Sequence, residues 1–141
     1  MTEPAFQARS GEVGRAYETQ VACWLQAQGF DLIGRNVRHE SGVQFDLHLR
    51  DPFGVELGVE CKASDESAAE GRRGMQRTDN VWKVLGYLYL QRLWRAQGNT
   101  FPRYLLVTSD LPGPGTPWRS MLDTAQAIGD LTIVHLPFEE S

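Results

Sequence analysis

Three charged residues interrupt a segment whose pattern otherwise predicts two half-buried strands. The segment is GVQFDLHLRDPFGVELGVECKAS, residues 42 to 64, and the three residues are Asp46, Glu60 and Lys62. Successive side chains of a strand point to opposite faces, so residues two positions apart share a face. Glu60 and Lys62 are therefore expected on one face of the second strand.

The two strands are expected to form an antiparallel hairpin, because the sequence DPFG at residues 51 to 54 marks a turn between them. Their apolar faces match only if even-numbered residues pair with even-numbered residues. Asp46 then lies opposite either Glu60 or Gly58. The two carboxylates are about 5 Å apart in the first case and about 7–8 Å apart in the second.

Carboxylates this close repel each other and raise one pKa, unless a divalent cation between them supplies the compensating charge. Mg²⁺ is held by one or two carboxylates together with waters and the phosphate oxygens of a substrate. Lys62 would bring a positive charge beside such a site, where it could orient or deprotonate an attacking water, or stabilise negative charge on a phosphate. The alternative is an ordinary hairpin with a solvated polar face.

Hydrophobic periodicity predicts the element order α-β-β-β-α-β-α-β, which indicates an α/β domain with a mixed five-stranded sheet flanked by helices. In the first helix Glu18 falls at the edge of the apolar stripe centred near Val21, so its carboxylate is expected to lean toward the sheet. The predicted helices run from Gly11 to Gly29, from about Asp79 to Ala96 and from Thr116 to Gly129, and the predicted strands cover residues 30–38, 42–50, 55–63, 104–108 and 131–136.

The chain of 141 residues has the size of one domain, with 41% hydrophobic and 23% charged residues. We expect a single domain over residues 11–141 after a flexible tail, residues 1–10.

No apolar run is long enough for a membrane span, and Cys23 and Cys61 lack metal-ligand spacing, which favours a cytoplasmic protein. The net charge of −4 argues against binding nucleic acid by overall charge but permits a locally basic groove.

The segment between the third strand and the second helix passes from acidic SDESAAEG to basic GRRGMQR, which predicts a mobile loop. Its arginines, Arg72, Arg73 and Arg77, are candidates for phosphate contacts, as is Lys83 on the second helix. The alternative is a solvated loop without a binding role. His48 shares a strand face with Asp46 and is either a proton shuttle or a flanking polar group.

The element order, with Asp46 on one strand and the E-x-K of Glu60 and Lys62 on the next, resembles the PD-(D/E)XK nuclease superfamily. Residues 11 to 108 are also similar to Holliday junction resolvases, Mrr-type restriction nucleases and small bacterial endonuclease-like proteins. The resemblance implies a restriction endonuclease-like core and hydrolysis of DNA, branched or duplex, with Mg²⁺ or Mn²⁺. It implies metal ligation by Asp46 and Glu60 with a contribution from Glu18 to the same metal site, and catalysis with Lys62.

Two other hypotheses stay open. One is a non-catalytic nucleic-acid-binding or assembly module that retains the fold. The other is a structural homodimer, because the second helix is apolar on two sides, with Tyr87, Leu90 and Trp94 covering the side opposite its main stripe. These three residues form either core, a dimer surface or a platform for bases.

Overall fold

The sequence order of helices and strands is the predicted one. The computed structural model describes residues 3–63, 74–76, 78–129 and 131–139. The helices are α1 (Glu3–Ala27), α2 (Thr78–Ala96) and α3 (Pro117–Ala127), with a short 3-10 turn at Gly74–Gln76. The strands are β1 (Asp31–Arg38), β2 (Gln44–Arg50), β3 (Glu56–Lys62), β4 (Arg103–Thr108) and β5 (Leu131–His135).

The five strands form one mixed sheet in the order β1-β2-β3-β4-β5. The first three strands are antiparallel, whereas β4 runs parallel to β3 and β5 runs parallel to β4. Helix α2 makes the crossover from β3 to β4, and α3 makes the crossover from β4 to β5. The predicted α/β class with a five-stranded mixed sheet is confirmed.

Helix α1 begins at Glu3, eight residues before the predicted start at Gly11. Residues 3–10 have no clear apolar period, and the glycines that follow discouraged an earlier start, although Gly11 and Gly14 both lie within the helix. The end of α1 follows the prediction. Gly29, with φ +93°, adopts the left-handed conformation that glycine tolerates best after a helix.

Helices cover both faces of the sheet. Helix α1 packs on one face, where its buried residues meet Leu47, Leu49, Val59 and Leu105. Helices α2 and α3 pack on the other face over Tyr104, Leu106 and Leu131. Thr116 caps α3 by accepting a hydrogen bond from the backbone of Arg119, and Pro117 opens the helix, as the sequence predicts. The central strands are therefore enclosed between two helical layers.

Strand β2 changes sides at Asp46. Regular alternation would put Phe45 and Leu47 on one face, and the sequence was interpreted that way. Instead Phe45 packs into the cluster under α2, whereas Leu47 packs into the cluster under α1. The bend brings the Phe45 ring over Gly58, where an added Cβ atom would lie 2.3 Å from the ring. The absent side chain of Gly58 thus leaves room for Phe45.

Helix α2 has a buried and an exposed side. Tyr87 and Trp94 pack against the core, which is one of the three alternatives that the sequence left for them, whereas Leu90 is exposed. The exposed apolar residues of α2 are Trp82, Tyr89, Leu90 and Leu93, with 57%, 63%, 41% and 43% of their surface accessible. In the described part of the chain, no helix has the length and apolar character needed to cross a bilayer.

Candidate carboxylate and lysine site

Asp46 and Glu60 meet where the ladder between β2 and β3 ends. The observed register pairs His48 with Gly58 and Leu47 with Val59, and the pairing ends there. The charge of Asp46 raises the pKa of Glu60, so the two carboxyl groups lie near each other. The backbone N–H of Cys61 donates a hydrogen bond of 2.8 Å to Oδ2 of Asp46. The Asp46 side chain thus extends the sheet pairing beyond the bend in β2.

Glu60 is a buried carboxylate with two lysines beside it. Only 2% of its surface is exposed. Its Oε1 atom lies 3.5 Å from Nζ of Lys62 and 3.6 Å from Nζ of Lys83. Both are ion-pair distances, and Oε1 accepts no hydrogen bond from the described residues. Because its side chain is buried, Glu60 is not part of a solvated hairpin face. Burying a charged group costs free energy unless it is well paired, and the two lysines supply that pairing.

Asp46 and Glu60 both have raised pKa values. Burial raises the pKa of Glu60 from 4.5 to about 7, and the charge of Asp46 adds to the rise, while Lys62 and Lys83 oppose it. Burial also raises the pKa of Asp46, against the hydrogen bond from Cys61 and the charge of Lys62. Clefts with pKa values displaced in this way are candidates for functional sites.

Glu18 approaches the same site from the other face of the sheet. Burial raises its pKa and the charge of Asp46 raises it further, so the two carboxyl groups are near enough to repel. Oε2 of Glu18 lies 3.3 Å from Nη2 of Arg35 on β1, and this arginine opposes the rise. Glu18 leans toward the sheet as expected, and its charge is partly neutralised by Arg35.

The donor atoms suit a hard divalent cation held by few protein ligands. Within the described residues, no group of three or more His, Cys, Asp or Glu side chains lies close enough together to hold a metal. Glu18 is therefore not assembled with Asp46 and Glu60 into a three-residue cage. A pair of carboxylates is nevertheless a common Mg²⁺ site, because water and substrate oxygens complete the coordination. Glu60 Oε1, buried and without a hydrogen bond, fits that role.

Lys83 contributes to the carboxylate site itself, whereas the sequence indicated only a phosphate contact. Burial would lower its pKa, but the charges of Glu60 and Asp46 outweigh that effect and raise it. Its ammonium group also lies 5.7 Å from the centre of the Tyr87 ring. A signal was present in the sequence, since Lys83 is the one charged residue between Asp79 and Arg92 on a helix otherwise rich in apolar residues.

Four candidates remain, of which the structure describes only His48. Arg72, Arg73 and Arg77 lie outside the described residues. His48 points its Nε2 atom at Glu56, 3.6 Å away and on the other side of Gly58 from Glu60. It therefore belongs to the neighbouring surface of the hairpin.

Comparison with known proteins supports the fold. No family model matches the chain, and no curated protein sequence matches it. A solved structure described as an EndoMS-dsDNA2 complex is similar, with 18% sequence identity and a TM-score of 0.54. The likeness covers 89% of this chain and 46% of that chain. This chain thus shares its fold with slightly less than half of EndoMS.

Proposed function

We propose that this protein is a metal-dependent nuclease that hydrolyses phosphodiester bonds in DNA. The observation that carries the proposal is the Glu60 carboxylate, 2% exposed, held beside Asp46 with Lys62 and Lys83 at 3.5 and 3.6 Å. A fold shared with EndoMS, whose structure contains double-stranded DNA, supports DNA as the substrate. The match of Asp46, Glu60 and Lys62 to the PD-(D/E)XK pattern supports the same reaction.

Asp46 and Glu60 would hold Mg²⁺ or Mn²⁺. When bound, the cation supplies positive charge that activates water and shields the phosphate. The hydrogen bond from Cys61 fixes the Asp46 carboxylate, so that one ligand is oriented in advance. Glu18 would assist from α1, through its charge near Asp46 and its ion pair with Arg35.

The two lysines would act on the substrate. Lys62 shares the face of Glu60 and positions the attacking water or stabilises charge on the phosphate. Lys83, with 44% of its side chain exposed, can reach from Glu60 toward a phosphate in solvent. Arg72, Arg73 and Arg77 would add contacts to the DNA backbone, which position a substrate without reading its sequence.

The alternative function is a nucleic-acid-binding or assembly module without catalysis. The lack of a three-residue ligand group among the described residues favours it. The two proposals differ in one measurable property, because only the nuclease requires the charges of Asp46 and Lys62 for bond cleavage.

The test is cleavage of branched, duplex and single-stranded DNA with Mg²⁺ or Mn²⁺. Wild type is compared with Asp46→Ala and Lys62→Ala, and with Asp123→Ala, an exposed carboxylate on α3 paired with Arg119, as the control. We expect cleavage by wild type and the control, and a loss of about 100-fold or more in the two site variants. Equal rates in all four proteins, or no cleavage by wild type, would overturn the proposal.

We also propose that two copies associate through the exposed side of α2, at Trp82, Tyr89, Leu90 and Leu93. A two-fold dimer would present two sites to a duplex whose strands run in opposite directions. Of the three residues predicted for a dimer surface, Tyr87, Leu90 and Trp94, only Leu90 belongs to this exposed set.

A further inference from the structure

A cavity of about 610 Å³ lies on the α2 side of the sheet, where Phe45 lines it. This β1–β2 groove is bounded by the turn between β1 and β2, by the start of β3, and by the segment from the end of α2 to the start of β4. The lining residues used below are Arg38, His39, Phe45, Trp94, Arg95 and Arg103. None of the functions proposed above uses this cavity.

The groove carries three guanidinium groups. Arg38, Arg95 and Arg103 are all exposed, and within the described part of the chain none forms an ion pair with a carboxylate. Arg38 donates to the carbonyl of Gly42 and to Oε1 of Gln44, and Arg95 donates to the carbonyl of Phe101. Two acids also line the groove, Glu40 and Glu56. Glu56 already faces His48 and Arg50.

Aromatic rings form the wall next to these arginines. The ring of His39 lies 4.6 Å from Phe101 and 5.7 Å from Trp94, and Phe45 lies 5.6 Å from Phe101. His39 and Trp94 are half-buried, so part of each ring faces the groove. Proteins that bind single-stranded nucleic acid combine such aromatic surfaces with a basic groove that follows the phosphates.

The size of the groove limits what it can accept. Pockets of roughly 300–1,000 Å³ hold molecules of small-ligand size. This groove therefore has room for about one or two nucleotides of a single strand and not for a duplex. Phe45 lines the groove and precedes Asp46 in the sequence, whereas Asp46, Glu60 and Lys62 do not line it. Along α2, Trp94 stands eleven residues after Lys83, which corresponds to about 16 Å.

We propose that the β1–β2 groove binds unpaired nucleotides of the DNA strand that is cut at Asp46 and Glu60. The preferred substrate class is then DNA with a single-stranded segment, such as an overhang, flap or fork, rather than an unbroken duplex. This inference rests on the proposed nuclease function, because it assumes a DNA strand at Asp46 and Glu60. The arginines hold the phosphates of the unpaired segment, while His39 and Trp94 contact its bases.

The experiment measures DNA binding without cleavage, by fluorescence anisotropy in EDTA with Lys62→Ala as the parent. Labelled single strands, overhang duplexes and blunt duplexes are compared for the parent and for Arg38→Ala combined with Arg103→Ala. Arg119→Ala, which removes an arginine on α3, serves as the control. We expect the double variant to bind single strands and overhangs about tenfold more weakly. The slope of log affinity against log salt concentration should become shallower by about 0.7 for each phosphate that an arginine no longer neutralises.

Blunt-duplex binding and the control variant should be unchanged. Unaltered binding of single strands and overhangs by the double variant would overturn the groove proposal, as would equally tight binding of blunt and overhang duplexes by the parent. If the nuclease proposal is wrong, the measurements differ from those that would overturn the groove proposal. In that case wild type cleaves none of the substrates, while weaker single-strand binding by the double variant still supports the groove.

Discussion

Glu60 is the residue whose charge is hardest for the folded protein to accommodate. Its pKa rises from 4.5 to about 7 through burial and the nearby charge of Asp46. The folded state therefore binds a proton more tightly than the unfolded state. Stability from this group is complete below about pH 4.5 and is lost as the pH rises through about 7. Because Asp46 and Glu60 interact, this behaviour belongs to the pair.

We predict that metal-free wild type loses up to about 3 kcal/mol of unfolding free energy between pH 4.5 and pH 8 through this titration. Glu60→Gln removes the titrating group and should be more stable than wild type at pH 8, with a flatter pH profile. Urea unfolding at several pH values in EDTA measures the difference. Asp123→Ala, whose carboxylate is exposed, should follow the wild-type profile. Parallel profiles for wild type and Glu60→Gln would contradict the prediction.

Residue types and spacing were sufficient to bring Asp46, Glu60 and Lys62 together. The period of a strand is two, so Glu60 and Lys62 share a face, and the hydrogen bond from the backbone of Cys61 holds the Asp46 side chain beside β3. The contact of Lys83 with Glu60 was not predicted, because it depends on how α2 packs over the sheet. The spacing of residues along one element does not indicate which residues of a distant element it will contact.

At the scale of elements, the bend in β2 depends on Gly58. The Phe45 ring is buried and packed by Phe101 and Tyr104, so it has little freedom to move away from a new Cβ atom. We predict that Gly58→Ala destabilises the fold by about 1–3 kcal/mol. In Gly86→Ala, on the exposed side of α2, the new Cβ meets no atom within 4 Å. That control should gain about 0.5–1 kcal/mol from helix propensity.

Urea denaturation of both glycine variants and wild type measures these changes. Equal stability of Gly58→Ala and wild type would show that the Phe45 ring can move away from residue 58 without a loss of unfolding free energy.

The bend itself was not predictable, since burial in β2 does alternate regularly, with Phe45, Leu47 and Leu49 buried. The same alternation of buried and exposed residues results whether the buried residues all face one helical layer or are divided between the two layers. The start of α1 was missed for a related reason, because residues 3–10 form a helix without an apolar period.

At the scale of the whole molecule, one side of α2 is left uncovered by the rest of the described structure. Four large apolar side chains are accessible there, on a single helix. One helix face supplies less than the roughly 800 Å² per partner of a standard stable interface. We therefore expect a dimer that forms at high protein concentration and dissociates on dilution.

We predict that Leu90→Glu weakens this dimer about tenfold or more, because a carboxylate would lose its hydration within an apolar contact. Phe53→Glu is the matched control, since Phe53 is 92% exposed in the turn between β2 and β3, away from α2. Sedimentation equilibrium over a wide concentration range measures association of the three proteins. A wild type that stays monomeric at the highest concentration, or a dimer that Leu90→Glu leaves intact, would exclude this surface. If Phe53→Glu alone dissociates the dimer, the contact lies at the hairpin turn, and the two sites do not face each other across α2.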